Sequence, residues 1–237
     1  MLIFFLSCAL DIPESFIPSE NAKNLLFITH GSGDSIDDWP LEISEIMESN
    51  IIDPNNWDIW RYDWKKDSEN KLFAAGNAVK HGEQIVDFLH STDYEHYHLM
   101  AHSAGSFIIH TLEQELFEQA TIHSTYLDPF CGSNIVDWEY GHRRFGEFAQ
   151  FSEAYINMDD GVPSTDSALQ QSFVFDITAL TPDTLQGSER HWWPIQVYQD
   201  SIQAGVDWGY GNTVEAGNTP YHEHPSFYPK GGITTLE

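Results

Sequence analysis

The chain has 237 residues and sets 10 lysines and arginines against 37 aspartates and glutamates, a formal charge of −27. Binding a phosphate backbone takes a basic stripe that releases counterions, and the six lysines and four arginines are too scattered to form one, so a nucleic-acid partner is excluded. Hydrophobic residues at 41% and aromatics at 14% are too abundant for a disordered acidic chain, and the length suits one globular domain with a sizeable core.

Residues 1–8, ending Leu6-Ser7-Cys8, read either as a shortened secretion or lipoprotein signal without a basic start or as an edge strand, so secretion or the cell envelope is the expected location, with the cytoplasm left open. Residues 9–237 read as a single domain. No run approaches the roughly 18 apolar residues of a membrane span. Cys8 and Cys131 permit one bridge and no disulfide framework or four-thiolate metal site.

Short apolar runs alternate with segments of helical period, the pattern of a mostly parallel sheet with crossover helices: an α/β chain. Leu25 to Thr29 reads as a buried strand that ends at Gly31, followed by a helix capped by Asp37 or Asp38 with Pro40 in its first turn. Trp57 to Trp64 is a second strand. Leu72, Ala75, Val79, Ile85, Phe88 and Leu89 predict one long helix over about 68–90, with its apolar face as core cover. Tyr97 to Ala101 and Ser124 to Leu127 are strands, and a helix begins almost at once after the first of them. A long connection over about 131–153, a loop or small lid, carries Trp138, Tyr140, Phe145, Phe148 and Phe151. Ala154 to Met158 and Phe173 to Ile177 predict further strands, Ile195 to Ile202 a helix, and 203–237 an irregular tail.

The chemistry centres on Ala101-His102-Ser103-Ala104-Gly105 between a strand and a helix. Small residues two before and two after a serine allow the sharp turn that lifts its hydroxyl above the sheet edge, and the helix start supplies N–H groups where an oxyanion forms. A second donor is expected from His30-Gly31-Ser32-Gly33, so the oxyanion donors are assigned to the backbone N–H groups of Ser32 and Ala104, with His30 as a structural hydrogen bonder. If the order serine, acid, histidine holds, the base follows Ser103. His191, after the last strand and before the final helix, fits best; His142 lies in the aromatic loop, and His222 and His224 read as a surface pair. Asp128, at a strand end before Pro129, is the expected acid, with Asp159, Asp160 and Asp176 as rivals.

The ordered set Phe27-Ile28-Thr29-His30-Gly31, Trp39, Tyr62-Asp63-Trp64, Ala75, Asn77-Ala78, His98 to Gly105, Tyr126 to Pro129 and Tyr198 to Ile202 resembles the catalytic domain of the pancreatic-type lipase family. The resemblance implies an α/β-hydrolase fold acting on acyl esters, places the acid at Asp128 and agrees with His191 as base. The family's disulfide cysteines and its C-terminal lipid-binding sandwich have no counterpart here. The expected activity is serine carboxylic-ester hydrolysis, needing no metal or organic cofactor, on a lipid or other small ester. The alternatives are a phospholipase A1, thioesterase or acyltransferase on the same triad, and a non-catalytic lipid-binding relative. Trp138, Tyr140, Phe145, Trp192 and Trp193 are the candidate substrate contacts.

Overall fold

Parallel strands cannot be joined by tight turns, so a chain that alternates apolar runs with amphipathic ones must send each connection across a sheet face. The computed structural model describes residues 16–50, 54–133, 137–204 and 230–236. Among these residues seven strands form one sheet: β1 (Asn24–Thr29), β2 (Trp57–Tyr62), β3 (His96–His102), β4 (Thr121–Leu127), β5 (Phe151–Ile156), β6 (Phe173–Asp176) and β7 (Ile233–Thr235). Their order is β2-β1-β3-β4-β5-β6-β7, and every pairing is parallel. The helices are α1 (Trp39–Asn50), α2 (Lys65–Ser68), α3 (Ala74–Leu89), α4 (Ser106–Leu116), α5 (Tyr140–Arg144) and α6 (Trp193–Ala204). From β1 the chain moves outward to β2, then returns past β1 to β3 and continues the other way. The switch point between β1 and β3, at the carboxyl ends of the strands, is where such sheets open a crevice.

Alternation along each strand divides the core in two. On one face Phe27, Leu99 and Tyr126 pack with Ala78 and Ile85 of α3 and Ile108 of α4. On the other, Ile28, Met100 and Phe175 pack with Ile43 of α1 and Tyr198 of α6. That second face also holds a buried polar seam, because His96, His98 and His102 alternate with Tyr97, Leu99 and Ala101. Thr125 donates to Glu153 Oε1 (2.8 Å), His98 Nε2 meets the Thr125 hydroxyl (3.0 Å) and His123 Nε2 lies 3.2 Å from the same carboxylate oxygen. The rings of His98 and His123 stack with centroids 3.9 Å apart. Burial, and then neighbouring histidines, holds both well below the usual histidine range, so they are packed as neutral donors.

Three stretches differ from the sequence expectation. The long helix is broken: α2 is one turn, Phe73 N bonds to Asn70 O (2.9 Å), and α3 starts at Ala74. Ser68 is drawn to the loop after β1, and the turn turns Leu72 outward, 74% exposed, although its spacing matches the buried face of α3. The tail supplies an edge strand, β7, only three residues long and paired to β6 from Val174 to Asp176. The connection from β4 to β5 contains α5, and Phe151 opens β5 rather than belonging to a loop. Cys131 is buried, whereas residues 1–15, with Cys8 and the candidate signal, and His222 and His224 lie outside the described residues. Among the described residues no helix is long and apolar enough to cross a membrane.

The buried histidines predict an acid-labile fold. Burial lowers His81, His96, His98, His102 and His123, so below about pH 6.5 the unfolded chain takes up protons that the folded chain does not. Asp34 and Asp128, which burial raises, and His191, which its two carboxylates raise, act in the opposite sense and are outnumbered. The melting temperature should therefore fall between about pH 7 and about pH 5; a flat profile would contradict this burial.

Candidate active site

Ser103 follows the last residue of β3 with φ of 51°, a left-handed conformation that costs a side-chain-bearing residue about 1–3 kcal/mol. A single 3-10 turn, Ser103–Gly105, leads from it into α4. Two glycines let the loop after β1 press against this turn. A Cβ on Gly31 would stand 2.8 Å from Ser103 Cβ, and one on Gly105 would stand 2.5 Å from the carbonyl oxygen of His30. The loop is clamped from its other side: Trp64 Nε1 donates to His30 O (2.8 Å), Ser32 donates its hydroxyl to Ser68 O, and Gly33 N donates to Ser68 Oγ (3.3 Å). His30 Nδ1 lies 2.8 Å from Gly31 O and its Nε2 3.0 Å from Asp63, so this ring is a strut of the loop.

Asp128 directly follows β4, also left-handed at φ 44°, and is fully buried. Its N–H donates to Tyr155 O (2.8 Å), its Oδ1 accepts from Asn157 N (3.0 Å), and its Oδ2 lies 2.9 Å from His191 Nδ1. His191 sits in a 3-10 segment, Gly187–Trp192, and its carbonyl accepts from His102 Nε2 (3.1 Å). Because burial keeps His102 neutral, its one N–H points at that carbonyl. Asp160, from the loop after β5, reaches His191 Nδ1 as well, at 2.8 Å. The other two carboxylates weighed from sequence do not touch the imidazole: Asp159 pairs with Arg190, and Asp176 accepts from Thr178 N (2.9 Å).

Burial disfavours a charged His191, yet hydrogen bonds and charge from Asp128 and Asp160 outweigh it and push its pKa up to about 9. Asp128 is the carboxyl that resists ionisation, raised by burial against the pull of His191. Burial also opposes charge on Asp160, but its bonds to His191, Val162 N–H and Thr165 hold it below the usual aspartate value. Asp128, Asp160 and His191 are the one group among the described residues whose donor atoms lie within 4.8 Å, as a cation site would require. Their N···O separations of 2.8 and 2.9 Å are hydrogen-bond lengths around a shared N–H, and the far oxygens already accept from backbone N–H groups, so the cluster has the geometry of a braced imidazole rather than a metal cage.

Ser103 and His191 face one cavity of about 510 Å³, with Ser32 and Ala104 in its wall. Among the described residues no hydrogen bond joins Ser103 to His191; contacts of this kind often tighten only with substrate bound. Leu72, Phe130, Trp138, Val162, Pro163 and Trp192 make the rest of the lining largely apolar. Trp138 and Trp192 are 45% and 41% exposed, and the Trp192 ring lies 4.6 Å from that of His102. The other aromatic candidates point elsewhere. Phe145 is fully buried and stacks on Tyr126 (5.2 Å), Tyr140 stacks on Phe107 (5.9 Å), and Trp193 donates to Leu180 O (2.9 Å). Sequence reasoning missed Leu72, Phe130, Val162 and Pro163 as cavity walls: the helical spacing of Leu72 points to the core instead, and no periodicity marks the other three, although Val162 and Pro163 closely follow the candidate acids Asp159 and Asp160.

An elbow serine after β3, a clamped loop after β1, an acid after β4 and a histidine before the last helix share one edge of a parallel sheet. This is an α/β-hydrolase fold. No family model matches the chain, and no curated protein does, so neither supports the resemblance to pancreatic-type lipases. Solved structures with similarity include a putative cell surface hydrolase from Lactobacillus plantarum WCFS1 (TM-score 0.43, 12% identity, covering 62% of this chain and 75% of that one). A predicted CIB-like hydrolase from Thermoplasma acidophilum has TM-score 0.44 and 13% identity, covering 79% of this chain and 89% of its own. The poly(3-hydroxybutyrate) depolymerase LpqC from Bordetella parapertussis has TM-score 0.37 and 11% identity, covering 82% and 71%.

Gly105→Ala drives a methyl group against the backbone carbonyl of His30, which has nowhere to move. Urea denaturation should show a loss of about 1–3 kcal/mol; a change below about 0.5 kcal/mol would mean that the loop and elbow are not in the close contact described.

Proposed function

We propose that the protein is a serine carboxylic-ester hydrolase with Ser103 as nucleophile, His191 as general base, Asp128 as orienting acid and the backbone N–H groups of Ser32 and Ala104 as oxyanion donors. The observation that carries this reading is the strained Ser103 backbone, φ 51°, in the same cavity as an imidazole whose Nδ1 is held 2.9 Å from a buried carboxylate. Strain of this kind persists only where the surroundings enforce it, and it aims a hydroxyl away from the sheet.

With Nδ1–H committed to carboxylate, the free Nε2 of a neutral His191 accepts the proton as Ser103 Oγ attacks the acyl carbonyl. The tetrahedral oxyanion faces the two backbone donors, each worth about 3–4 kcal/mol in the transition state. His191 then protonates the leaving alcohol, and water, activated by the same ring, releases the acid from the acyl-enzyme. The apolar lining of Leu72, Phe130, Trp138 and Trp192 favours an acyl chain over a charged one. The excess of 37 acidic over 10 basic residues helps expel the carboxylate product and disfavours anionic lipid surfaces.

Purified protein should cleave p-nitrophenyl esters, with Ser103→Ala lowering turnover by about 10³-fold or more; undiminished activity in that variant would refute the assignment. A base must be unprotonated to act, so with His191 raised to about 9, kcat/KM should keep rising with pH above neutrality. A plateau reached already below about pH 7 would show that the carboxylates do not raise this base.

A further inference from the structure

An acid–base–nucleophile relay of the usual kind needs a single carboxylate on the base, yet His191 Nδ1 meets two, at 2.9 Å from Asp128 Oδ2 and 2.8 Å from Asp160 Oδ2. Given the reading of Ser103 and His191 above, on which this rests, we propose that Asp160 is a second positioning residue, sharing the Nδ1 proton of His191 with Asp128 so that either acid alone keeps the base oriented.

The two carboxylates are anchored independently. Asp128 leaves the end of β4 and is tied by Asn157 N to its Oδ1 (3.0 Å). Asp160 lies in the turn after β5, where Gly161 adopts φ 73°, and its Oδ1 accepts from Val162 N (2.9 Å) while Thr165 donates its hydroxyl to the same carboxylate (3.0 Å). Neither depends on the other for its place, and one N–H faces both, as a three-centre bond or by alternation. The bond balance is simple: as Ser103 gives its proton to Nε2, Nδ1–H stays on the ring, and the cation so formed has two carboxylates to stabilise it. The remaining titratable neighbours include His102 on β3, kept neutral by burial, the Cys131 thiol near Asp128, which burial raises, Lys71 on the cavity rim, and Arg190, which is paired with Asp159. None of these replaces a carboxylate at Nδ1.

The test compares Asp128→Asn, Asp160→Asn and the double variant in the full chain, with Ser103→Ala as the control for the function itself. Removing the acid of a single-acid relay costs about 10⁴-fold in turnover. Here each single variant should stay within about 10-fold of the parent, and the double variant should fall by about 10³-fold or more. Each single variant should also move the acid limb of kcat/KM to lower pH, because one negative charge beside the imidazole is gone, a change that a purely structural aspartate would not cause. A full loss in Asp128→Asn, with Asp160→Asn unchanged in rate and pH limb, overturns the proposal, as does the converse. If a single variant does not fold, carbon-13 carboxyl signals of the parent protein decide: both aspartates should register the His191 titration step, and a step felt at only one overturns the sharing. Activity that survives Ser103→Ala refutes the hydrolase reading instead, and the two failures are distinct.

Discussion

The contact on which the site depends is the approach of two backbones with no side chain between them. At Gly31 the loop leaving β1 comes so near the turn after β3 that a methyl group would reach Ser103 Cβ, and at Gly105 the start of the helix comes equally near the carbonyl of His30. Parallel pairing of β1 with β3, Thr29 opposite Ala101, delivers both loops to the same sheet edge, and the glycines let them close. Trp64 and Ser68 then fix the far side of the loop. Ser32 and Ala104 owe their common cavity to this packing, so the catalytic proposal is first a statement about backbone geometry.

The interior electrostatics run against the surface. A chain with 37 acids could tolerate few buried ones unless each met donors, and the buried carboxylates do so: Glu113 accepts from Tyr126 (2.7 Å) and Gly146 N (3.2 Å), and Glu153 accepts from Thr125 (2.8 Å). Histidines supply much of the matching polarity, packed neutral within the sheet at His98 and His123. Among the described residues, only at His191 do two carboxylates converge on one ring, and there the imidazole is pushed toward its charged form. The same residue type is thus structural on one strand and, in the proposed mechanism, the carrier of the proton at the sheet edge.

Much of the fold was legible because its signals are local. The apolar run at Leu25 to Ile28, the elbow at Ser103 and the strand ending at Asp128 each carry their own pattern, and chain order then singles out His191. What was not legible is set by tertiary contact. Leu72 has the spacing of a core residue, but Ser68 is held by the loop after β1, the helix breaks, and Leu72 becomes a cavity wall. Phe145 sits in an aromatic segment that reads as a lid, yet Tyr126 and Phe107 give it an interior socket. β7 is too short to announce itself. Sequence favoured Asp128 over Asp160, but nothing local in it could show that both carboxylates reach the same imidazole.

The central claim is that one serine hydroxyl is nucleophilic because of where the sheet puts it, and covalent capture tests that most directly. A fluorophosphonate ester reacts only with a serine whose proton is removed as it attacks and whose oxyanion is stabilised. Peptide mapping by mass spectrometry should find a single adduct, on Ser103, that disappears in His191→Ala. No adduct under alkaline conditions, or one on another residue, would contradict the account.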